Sequence, residues 1–303
     1  MKWEKKGLIY SPDLSIDWRN NSALTPTPIV LDDETIRIYA GFRDKNGVSR
    51  IGYVDVNGDN PSEIVKISEK PVLDVGKPGT FDDNGVILGD LIKFNNKLYM
   101  YYVGFQLVEK VKFLAFTGLA ISSDNGESFI RYSNSPVLDR SDEELYIRAI
   151  HSIMYDDGVW KAWTGTGNDW QTIDNKTFPK YDIRYYESQD GINFNDVGIN
   201  CINPKDREYR IGRPRVYKIN GKYIMFYTYG TLDKDYLSGY AESSDGINWT
   251  RKDKEIGINL SISGWDSKHL AYPSIITFKD KTFMFYNGND MGYDGFGYAE
   301  LIK

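Results

Sequence analysis

The side chains best suited to chemistry stand in five short segments, at residues 22–28, 79–85, 144–151, 207–214 and 264–273. The acids in these segments that we assign to a candidate site are Asp82, Asp83, Glu208 and Asp266. The segments also hold both histidines and several arginines, among them Arg148, His151, Arg210, Arg213 and His269. Paired carboxyl groups can exchange a proton with a reacting oxygen, and guanidinium groups bind oxyanions through two parallel hydrogen bonds. If the segments meet, they predict acid–base chemistry on an anionic ligand.

The elements that must bring these segments together form a repeat of about 60 residues. An aromatic residue marks the same place in each copy, at Tyr39, Tyr102, Trp163, Tyr227 and Tyr286. Each marker belongs to a run that is rich in aromatic and β-branched residues, which indicates a β-strand. A strand unit that recurs five times at one period predicts a propeller or a solenoid.

A further strand-like run follows each marker and, in the middle three copies, leads into a turn resembling Ser-x-Asp-Gly. The turns are SSDNGESF, SQDGINF and SSDGINW. Gly, Asn and Asp adopt the positive φ angles that tight hairpin turns need. We therefore predict an all-β fold, a five-bladed β-propeller of four-stranded antiparallel blades. Longer loops are expected at residues 139–146, 167–181 and 256–268.

The two ends of the chain are expected to share one blade. An extended segment at residues 3–10 lies outside the first repeat, whereas the fifth repeat ends after its third strand. A ring of sheets closes only if one end supplies the strand that the other lacks, so residues 3–10 should pair with 295–302 as the outer strand of the last blade. No linker interrupts residues 1–303, which predicts a single domain. The inner strands of a propeller line its axial funnel, so the five segments would converge there.

Composition excludes several classes of function. The net charge of −6 and the pI near 5.2 argue against nonspecific binding of nucleic acid. The single cysteine, Cys201, cannot form an intramolecular disulfide, and no spaced set of histidines and cysteines predicts a metal site. No nucleotide-cofactor fingerprint occurs, so we expect no cofactor. No apolar run is long enough to cross a membrane and no signal peptide is evident, so a cytoplasmic protein without membrane partners is expected.

Several motifs carry a resemblance to a known group of proteins. They are AGFRDKNGVSRIGYVDV, PVLDVGKPGTFDDNGV, GWDSKHLAYPSI and MFYNGNDMGYDGFGYA, together with the repeated turns. Over its whole length the chain resembles the five-bladed propeller glycosidases of families 32, 43 and 130. More narrowly, it resembles glycosidase-like proteins of bacterial surface-polysaccharide or sugar-biosynthesis gene sets. The resemblance implies a saccharide ligand, free, phosphorylated or nucleotide-linked.

The hydrolases of these families place a catalytic Asp in the first blade, a second Asp in the second blade and a Glu acid in the third. The chain departs from this pattern in two blades. Thr25 and Thr27 occur in the first blade where the Asp is expected, and Arg148 and His151 occur in the third blade where the Glu is expected. Only Asp82 or Asp83 has a counterpart in the family pattern. The resemblance also implies basic residues that hold phosphate, as in the phosphorylases of family 130.

Two hypotheses of different class follow. In the first, the protein is an enzyme, similar to a glycoside hydrolase or a glycan phosphorylase, that makes or breaks a glycosidic bond of an anionic or activated sugar. Asp83 and either Glu208 or Asp266 would be its acid–base pair. Further substrate contacts are expected from Arg43, Asp82, Arg148, His151, Arg210, Arg213, Trp265 and His269, with Trp265 stacking on a sugar ring. In the second, the protein is a noncatalytic carbohydrate-binding propeller. The arginines could instead simply neutralise the acids.

Overall fold

Strands make up almost all of the regular structure in the computed structural model, which describes residues 1–233 and 235–302. Strand β1 (Trp3–Tyr10) precedes a first unit of four antiparallel strands. These are β2 (Ser22–Val30), β3 (Thr35–Arg43), β4 (Ser49–Asn57) and β5 (Ile64–Ile67). The second unit consists of β6 (Val86–Phe94), β7 (Lys97–Gln106), β8 (Leu114–Ser122) and β9 (Ile130–Arg131).

The remaining strands form three more antiparallel units. The third unit is β10 (Ile147–Asp156), β11 (Val159–Ile173), β12 (Lys176–Ser188) and β13 (Ile199–Ile202). The fourth is β14 (Glu208–Ile219), β15 (Lys222–Thr231), β16 (Tyr236–Ser243) and β17 (Thr250–Arg251). The fifth is β18 (Ala271–Phe278), β19 (Lys281–Asn287) and β20 (Phe296–Leu301), completed by β1.

Helical structure is limited to short turns in the described residues. They are two 3-10 turns, Asp17–Arg19 and Asp253–Glu255, and the four-residue turn Asn289–Gly292, in which Asp290 and Met291 have positive φ angles of 51° and 55°. No helix in this part of the chain has the length and apolar character needed to cross a bilayer.

Clusters of buried apolar side chains fill all five junctions between neighbouring units. Four clusters join the first unit to the second, the second to the third, the third to the fourth and the fourth to the fifth. Another cluster joins the fifth unit to the first, where Phe278 and Phe283 pack with Ile36 and Ile38. Alternate side chains of a strand point to opposite faces, so each unit can bury one apolar face against each neighbour. The order of packing is therefore cyclic.

Hydrogen bonds from buried aromatic side chains connect three of the units to the turns of the next unit. Tyr39 and Tyr101 donate to the carbonyl oxygens of Gly126 and Gly191, at 2.9 and 2.7 Å. The indole of Trp163 donates to the carbonyl oxygen of Gly246 at 2.7 Å. These glycines lie in the Ser-x-Asp-Gly-like turns, with φ angles of 83°, 73° and 81°. The repeat thus encodes both the turn and its attachment to the preceding unit.

The prediction of a loop at residues 167–181 is wrong, because strands β11 and β12 continue through most of this segment as a long hairpin. Trp170 is opposite Pro179 and Gln171 is opposite Phe178. The turn is confined to Asp174 and Asn175, with φ angles of 48° and 60°. Two successive positive φ angles are typical of a two-residue hairpin turn, and Asp and Asn are among the residues that tolerate them. We call residues 167–181 the long hairpin.

The predicted pairing of the N-terminal strand is present: Trp3 is opposite Leu301 and Tyr10 is opposite Phe296. Trp3 and Tyr10 are buried, and the Trp3 indole donates to the carbonyl oxygen of Ile256 at 2.9 Å. Deletion of residues 1–10 should lower the melting temperature by about 10 °C, because it exposes the β20 edge and two apolar cores. Thermal unfolding followed by circular dichroism measures this. The exposed-site variant Lys2→Ala should melt like wild type, and an unchanged melt after the deletion would contradict the role of β1.

Candidate substrate-binding site

A cavity of about 380 Å³ lies where the five inner strands converge, and we call it the central cavity. All five units contribute to its wall. Its polar and charged lining residues are Thr25, Arg43, Ser49, Asn84, Lys112, His151, Tyr181, Arg210, Arg213, Tyr236 and Tyr272. Its apolar part includes Ile87, Phe105, Phe113, Ile147 and Phe178. A concave site with an apolar wall and a few polar groups has the general form of a small-molecule binding site.

Each inner strand is irregular at the same place. The pairing register of β2, β6, β10, β14 and β18 with its neighbour shifts at Thr25, Gly89, His151, Arg213 and Tyr272 respectively. Four of these five residues line the central cavity. Bulges of this kind re-aim a side chain and are common next to functional sites. The repeat therefore places the equivalent position of four units at the central cavity, whereas Gly89 of the second unit packs so closely that a Cβ atom would come within 2.1 Å of the Ile150 carbonyl oxygen.

Three of these positions carry backbone strain. The φ angles of Thr25, Arg213 and Tyr272 are 56°, 55° and 57°, and each residue precedes a proline. Positive φ is a genuine outlier for a β-branched or bulky residue, and such strain clusters at ligand sites. The Thr25 backbone is held by the Asn287 side chain, which accepts its N–H at 2.8 Å.

Arginines give the central cavity its charge. Arg43, Arg210 and Arg213 line it, no aspartate or glutamate does, and within residues 1–233 and 235–302 none of the three forms an ion pair with a carboxylate. Arg213 donates to the Leu88 carbonyl oxygen at 2.6 Å, and Arg210 lies 4.4 Å from the Tyr236 ring centroid. A buried charge without a counter-ion is costly, so an anionic ligand would stabilise this arrangement.

The pKa values of these arginines reflect their burial. Burial lowers the pKa of Arg43, and it lowers the pKa of Arg213 to about 10. Burial also opposes the charge of Arg210, but neighbouring tyrosine side chains, Tyr181 first among them, raise its pKa overall. All three are cationic at neutral pH.

Several polar atoms of the lining have no hydrogen-bond partner in the described structure. They are Thr25 Oγ1, Arg43 Nε, His151 Nδ1 and Arg210 Nε. Thr25 and His151 are only 5% and 7% exposed, so water does not readily satisfy them. Unsatisfied buried polar groups are rare in native proteins, and each requires an explanation. Because they all lie at one cavity, a polar ligand bound there is suited to supply the missing hydrogen bonds.

His151 is a neutral imidazole in this setting. Burial, with the nearby cations Arg213 and Arg215, holds the pKa of His151 well below 6.5. Arg215 itself is paired with Asp90 at 2.5 Å. A neutral imidazole can accept one hydrogen bond and donate another, which suits a sugar hydroxyl group.

Three tyrosines line the central cavity, two of them in contact with its arginines. Tyr236 donates its hydroxyl hydrogen to the Tyr272 hydroxyl at 3.0 Å, and the Tyr181 ring lies against Gly212 and Gly165. A Cβ atom at Gly212 would come within 2.7 Å of the Tyr181 ring, so the glycine is needed for this contact. Burial raises the pKa of Tyr236 and of Tyr272, which keeps both phenols protonated. They can therefore serve as hydrogen-bond donors.

The acids Asp82, Glu208 and Asp266 do not line the central cavity and are engaged in ion pairs. Each pairs with a base on the outermost strand of its own unit. The pairs are Asp82 with Arg131 at 2.8 Å, Glu208 with Arg251 at 2.8 Å and Asp266 with Lys5 at 2.6 Å. Tyr102 and Tyr286 donate to Asp82 and Asp266, each at 3.0 Å. A structural role, fastening the entry to the inner strand onto the outer strand, accounts for all three.

Glu144 has the equivalent position in the third unit. It forms ion pairs with Arg148 at 2.7 Å and with Arg184 at 2.8 Å, and it is fully buried. Arg148 also donates to the backbone oxygens of Asp139 and Asp196. These contacts hold Arg148 outside the cavity lining, although the sequence suggests it as a substrate contact.

The other predicted site residues, Asp83, Trp265 and His269, do not line the central cavity. Asp83 accepts the Gly79 N–H at 2.8 Å, while its neighbour Asn84 lines the wall. Trp265 stacks on Tyr286 with ring centroids 5.0 Å apart, so packing under the loop accounts for it. His269 accepts the Asp290 N–H through Nδ1 at 2.9 Å and lies edge-on to Tyr236. Of the predicted residues, the structure brings together Arg43, His151, Arg210 and Arg213.

Sequence reasoning missed Lys112, Asn84 and the tyrosines of the lining. Tyr272 could have been found, because Tyr272-Pro273 repeats the pattern of Thr25-Pro26 and Arg213-Pro214 at the equivalent place in the inner strand. Tyr181 lies midway along the third strand β12 and Tyr236 begins the third strand β16, and nothing in their spacing distinguishes them from tyrosines of the core. No cluster of three or more metal-ligating side chains occurs in the described part of the chain.

Comparison with known proteins gives matches at both the sequence and the structure level. Residues 171–296 match the model of the glycoside hydrolase 130 family, β-1,4-mannooligosaccharide phosphorylase. The uncharacterized protein Rv1502 of Mycobacterium tuberculosis is 30% identical over 302 residues, which cover 99% of each chain.

Solved structures with a similar fold include three enzymes. One is a structure from the family 130 mannoside phosphorylases, a family that contains glycoside hydrolases targeting β-1,2 mannosidic linkages in Candida mannan. Its TM-score is 0.69 at 16% identity, and the match covers 98% of this chain and 93% of that one. A glycosyl hydrolase from Bacteroides ovatus gives 0.70 at 14% identity, with 98% and 93% covered. A thermostable family 43 glycoside hydrolase gives 0.69 at 16% identity, with 96% and 90% covered. At these identities the similarity establishes the fold alone.

Proposed function

Because the chain belongs to the family of the mycobacterial relative, within the glycosidase-like proteins related to glycoside hydrolase families 43 and 130, we propose that it is a carbohydrate-active protein. Its central cavity would bind a saccharide together with an oxyanion. The oxyanion is either part of the sugar, as a phosphate, carboxylate or nucleotide group, or a phosphate ion that reacts with it. The observation that carries this proposal is the set of three cavity arginines that form no ion pair with a carboxylate in the described part of the chain.

The proposal includes a fold: the five units are the blades of one five-bladed propeller, and β1 is the outer strand of the last blade. The cyclic order of the apolar clusters supports this arrangement, as does the pairing of β1 with β20. The central cavity is then the axial funnel, and residues 1–303 form a single domain. Ligands of propellers commonly bind at this axis because every blade supplies a side chain to it.

Each part of the cavity has a distinct role in the proposed complex. Arg43, Arg210 and Arg213 hold the oxyanion, since planar guanidinium groups bind phosphate and carboxylate bidentately. His151 Nδ1 and Thr25 Oγ1, which have no hydrogen-bond partner among the described residues, bind sugar hydroxyl groups. The apolar side chains of the cavity wall pack against the face of the sugar ring that presents C–H groups.

The proposed reaction is transfer of a glycosyl group between an oxygen of the saccharide and an oxygen of the bound anion. The bond between the anomeric carbon and the leaving oxygen breaks, and a bond from that carbon to the oxyanion forms. The leaving oxygen needs a proton, and Asp83, beside the cavity-lining Asn84, is the acid that we propose supplies it. To do so it must exchange its hydrogen bond from Gly79 for one to the substrate.

A second candidate function is noncatalytic binding of an anionic saccharide. It is favoured by the absence of aspartate and glutamate from the cavity lining in the described residues, and by the ion pairs of Asp82, Glu208 and Asp266. A glycosidase of the usual kind needs two carboxyl groups across the scissile bond.

Turnover of a panel of glycosides, sugar phosphates and nucleotide sugars, with and without phosphate, tests the reaction. Asp83→Asn should lower turnover by about 100-fold or more while leaving saccharide affinity within a few-fold, because it keeps the shape and removes the proton. Asp33→Asn, at an exposed position in another loop, is the matched control.

The outcomes separate the candidates. Turnover by Asp83→Asn at the wild-type rate would remove Asp83 from the mechanism. Binding without turnover by wild type would select the noncatalytic function. A wild-type protein that binds neither saccharides nor oxyanions would overturn the proposal as a whole.

A further inference from the structure

A second concavity, of about 660 Å³, opens beside the central cavity, and we call it the outer groove. It lies between the β7–β8 loop and the long hairpin. Its lining residues are Val108, Glu109, Lys110, Val111, Lys112, Trp170, Lys176, Thr177 and Phe178. Lys112 and Phe178 also line the central cavity. The two cavities are therefore adjacent, with Lys112 and Phe178 at their common boundary.

Aromatic side chains follow the same path. Phe105 and Phe113 line the central cavity and pack edge to face, with ring centroids 5.3 Å apart. Phe113 in turn contacts Trp170 of the outer groove, at 5.1 Å. The Trp170 indole Nε1 has no hydrogen-bond partner in the described residues, although it is shielded from solvent. Aromatic rings with an unused donor suit a flat ligand that also presents hydroxyl or carboxylate oxygens.

The outer groove has a positive charge balance. Lys110, Lys112 and Lys176 stand against one acid, Glu109, which pairs with Lys110 at 3.3 Å where both side chains are almost fully exposed. Such an exposed pair contributes little. Lys112 donates only to the Thr177 carbonyl oxygen, at 3.4 Å, and neither Lys112 nor Lys176 pairs with a carboxylate in the part of the chain that is described. Two lysines are thus available to a ligand.

We propose that the outer groove is a second subsite, which holds the part of an acidic oligosaccharide that extends out of the central cavity. This inference rests on the proposed function, since it assumes a saccharide in the cavity. Sugar rings stack on aromatic faces, and mobile ammonium groups can follow carboxylate or phosphate groups that recur along a chain. The long hairpin, which positions Trp170, Lys176 and Phe178, is then the element that selects for length and charge.

Binding to an array of acidic and neutral oligosaccharides, from one to six sugars long, tests the inference. Wild type should bind acidic chains better than neutral ones of equal length, and affinity should rise with length beyond the monosaccharide. Lys176→Gln and Trp170→Phe should each lower the affinity for long acidic chains by about tenfold, without changing the affinity for acidic monosaccharides.

Two controls keep the result specific. Lys180→Gln changes a lysine of the same hairpin that lines neither cavity and pairs with Asp169, so it should bind like wild type. Lys176 is exposed, so Lys176→Gln should fold normally even if Trp170→Phe disturbs the hairpin.

The possible failures are distinguishable. If wild type binds short acidic sugars but its affinity does not rise with the length or charge of the saccharide, the outer groove is not a subsite, whereas the proposed function stands. The inference is also overturned if Lys176→Gln lowers the affinity for nucleotide sugars more than the affinity for oligosaccharides. It is overturned as well if Lys176→Gln lowers the affinity for short and long ligands equally. If no saccharide binds, both the subsite and the proposed function fail.

Discussion

Glu144→Ala is expected to lower the free energy of unfolding by about 3–5 kcal/mol, as removal of one partner of a buried ion pair does elsewhere. Glu144 is 0% exposed. It accepts hydrogen bonds from Arg184 at 2.8 Å, Tyr186 at 2.5 Å and the Gly198 N–H at 3.1 Å. The substitution also leaves Arg148, which is 3% exposed, without its counter-ion. Urea unfolding at neutral pH measures the loss.

The neighbouring residue supplies the control. Glu143 is exposed, so Glu143→Ala should change the free energy of unfolding by less than about 0.5 kcal/mol. Glu144→Gln, which retains the shape but not the charge, should fall between the two. Equal stability of the Glu143 and Glu144 alanine variants would refute the buried network.

The second large effect concerns Arg213. Phosphate or a sugar phosphate at about 100 times its dissociation constant should stabilise wild type by about 2.7 kcal/mol, because it binds only the folded state. We expect Arg213→Ala to abolish this gain, since Arg213 is one of the three cavity arginines that form no ion pair with a carboxylate among the described residues. Melting temperatures with and without ligand give the difference for each variant, whatever the variant's own stability.

Arg43→Ala should have the same effect on the ligand-induced shift, because Arg43 lines the same cavity. The exposed Arg140 provides the comparison: Arg140→Ala should keep the full shift. No stabilisation of wild type by phosphate, sulfate or sugar phosphates would mean that the arginines do not form an anion site.

Much of the fold was predictable because short sequence patterns, the aromatic markers and the glycine turns, identify the repeat. The markers Tyr39, Tyr102, Trp163, Tyr227 and Tyr286 are all 0% exposed, as residues at equivalent places of a strand core should be. The glycines of the turns have the positive φ angles that the sequence required. The long hairpin was missed because its strands mix polar and apolar residues, and tertiary contacts such as Phe113 with Trp170 stabilise it.

The site was harder to predict, because spacing gives a residue's place in the repeat but not the direction of its side chain. Asp82, Glu208 and Asp266 stand at the expected strand entries, yet each turns towards a base that is distant in sequence. Those bases are 49, 43 and 261 residues away. Arg131 and Arg251 lie on two-residue strands with weak sequence signals, and Lys5 lies on β1 at the other end of the chain. Arg43, His151, Arg210 and Arg213 were found because they lie on or beside the inner strands, whose side chains line the central cavity.

The packing of the fifth unit against the first has a consequence for how the molecule unfolds. In an open array of repeats, a terminal unit has one neighbour and can fray while the rest stays folded. Here Phe278 and Phe283 of the fifth unit are buried against Ile36 and Ile38 of the first, so every unit has two neighbours. Opening any unit breaks two interfaces at once, and partly unfolded states are correspondingly rare. Cooperative loss of all five units in a single transition is the behaviour that this arrangement favours.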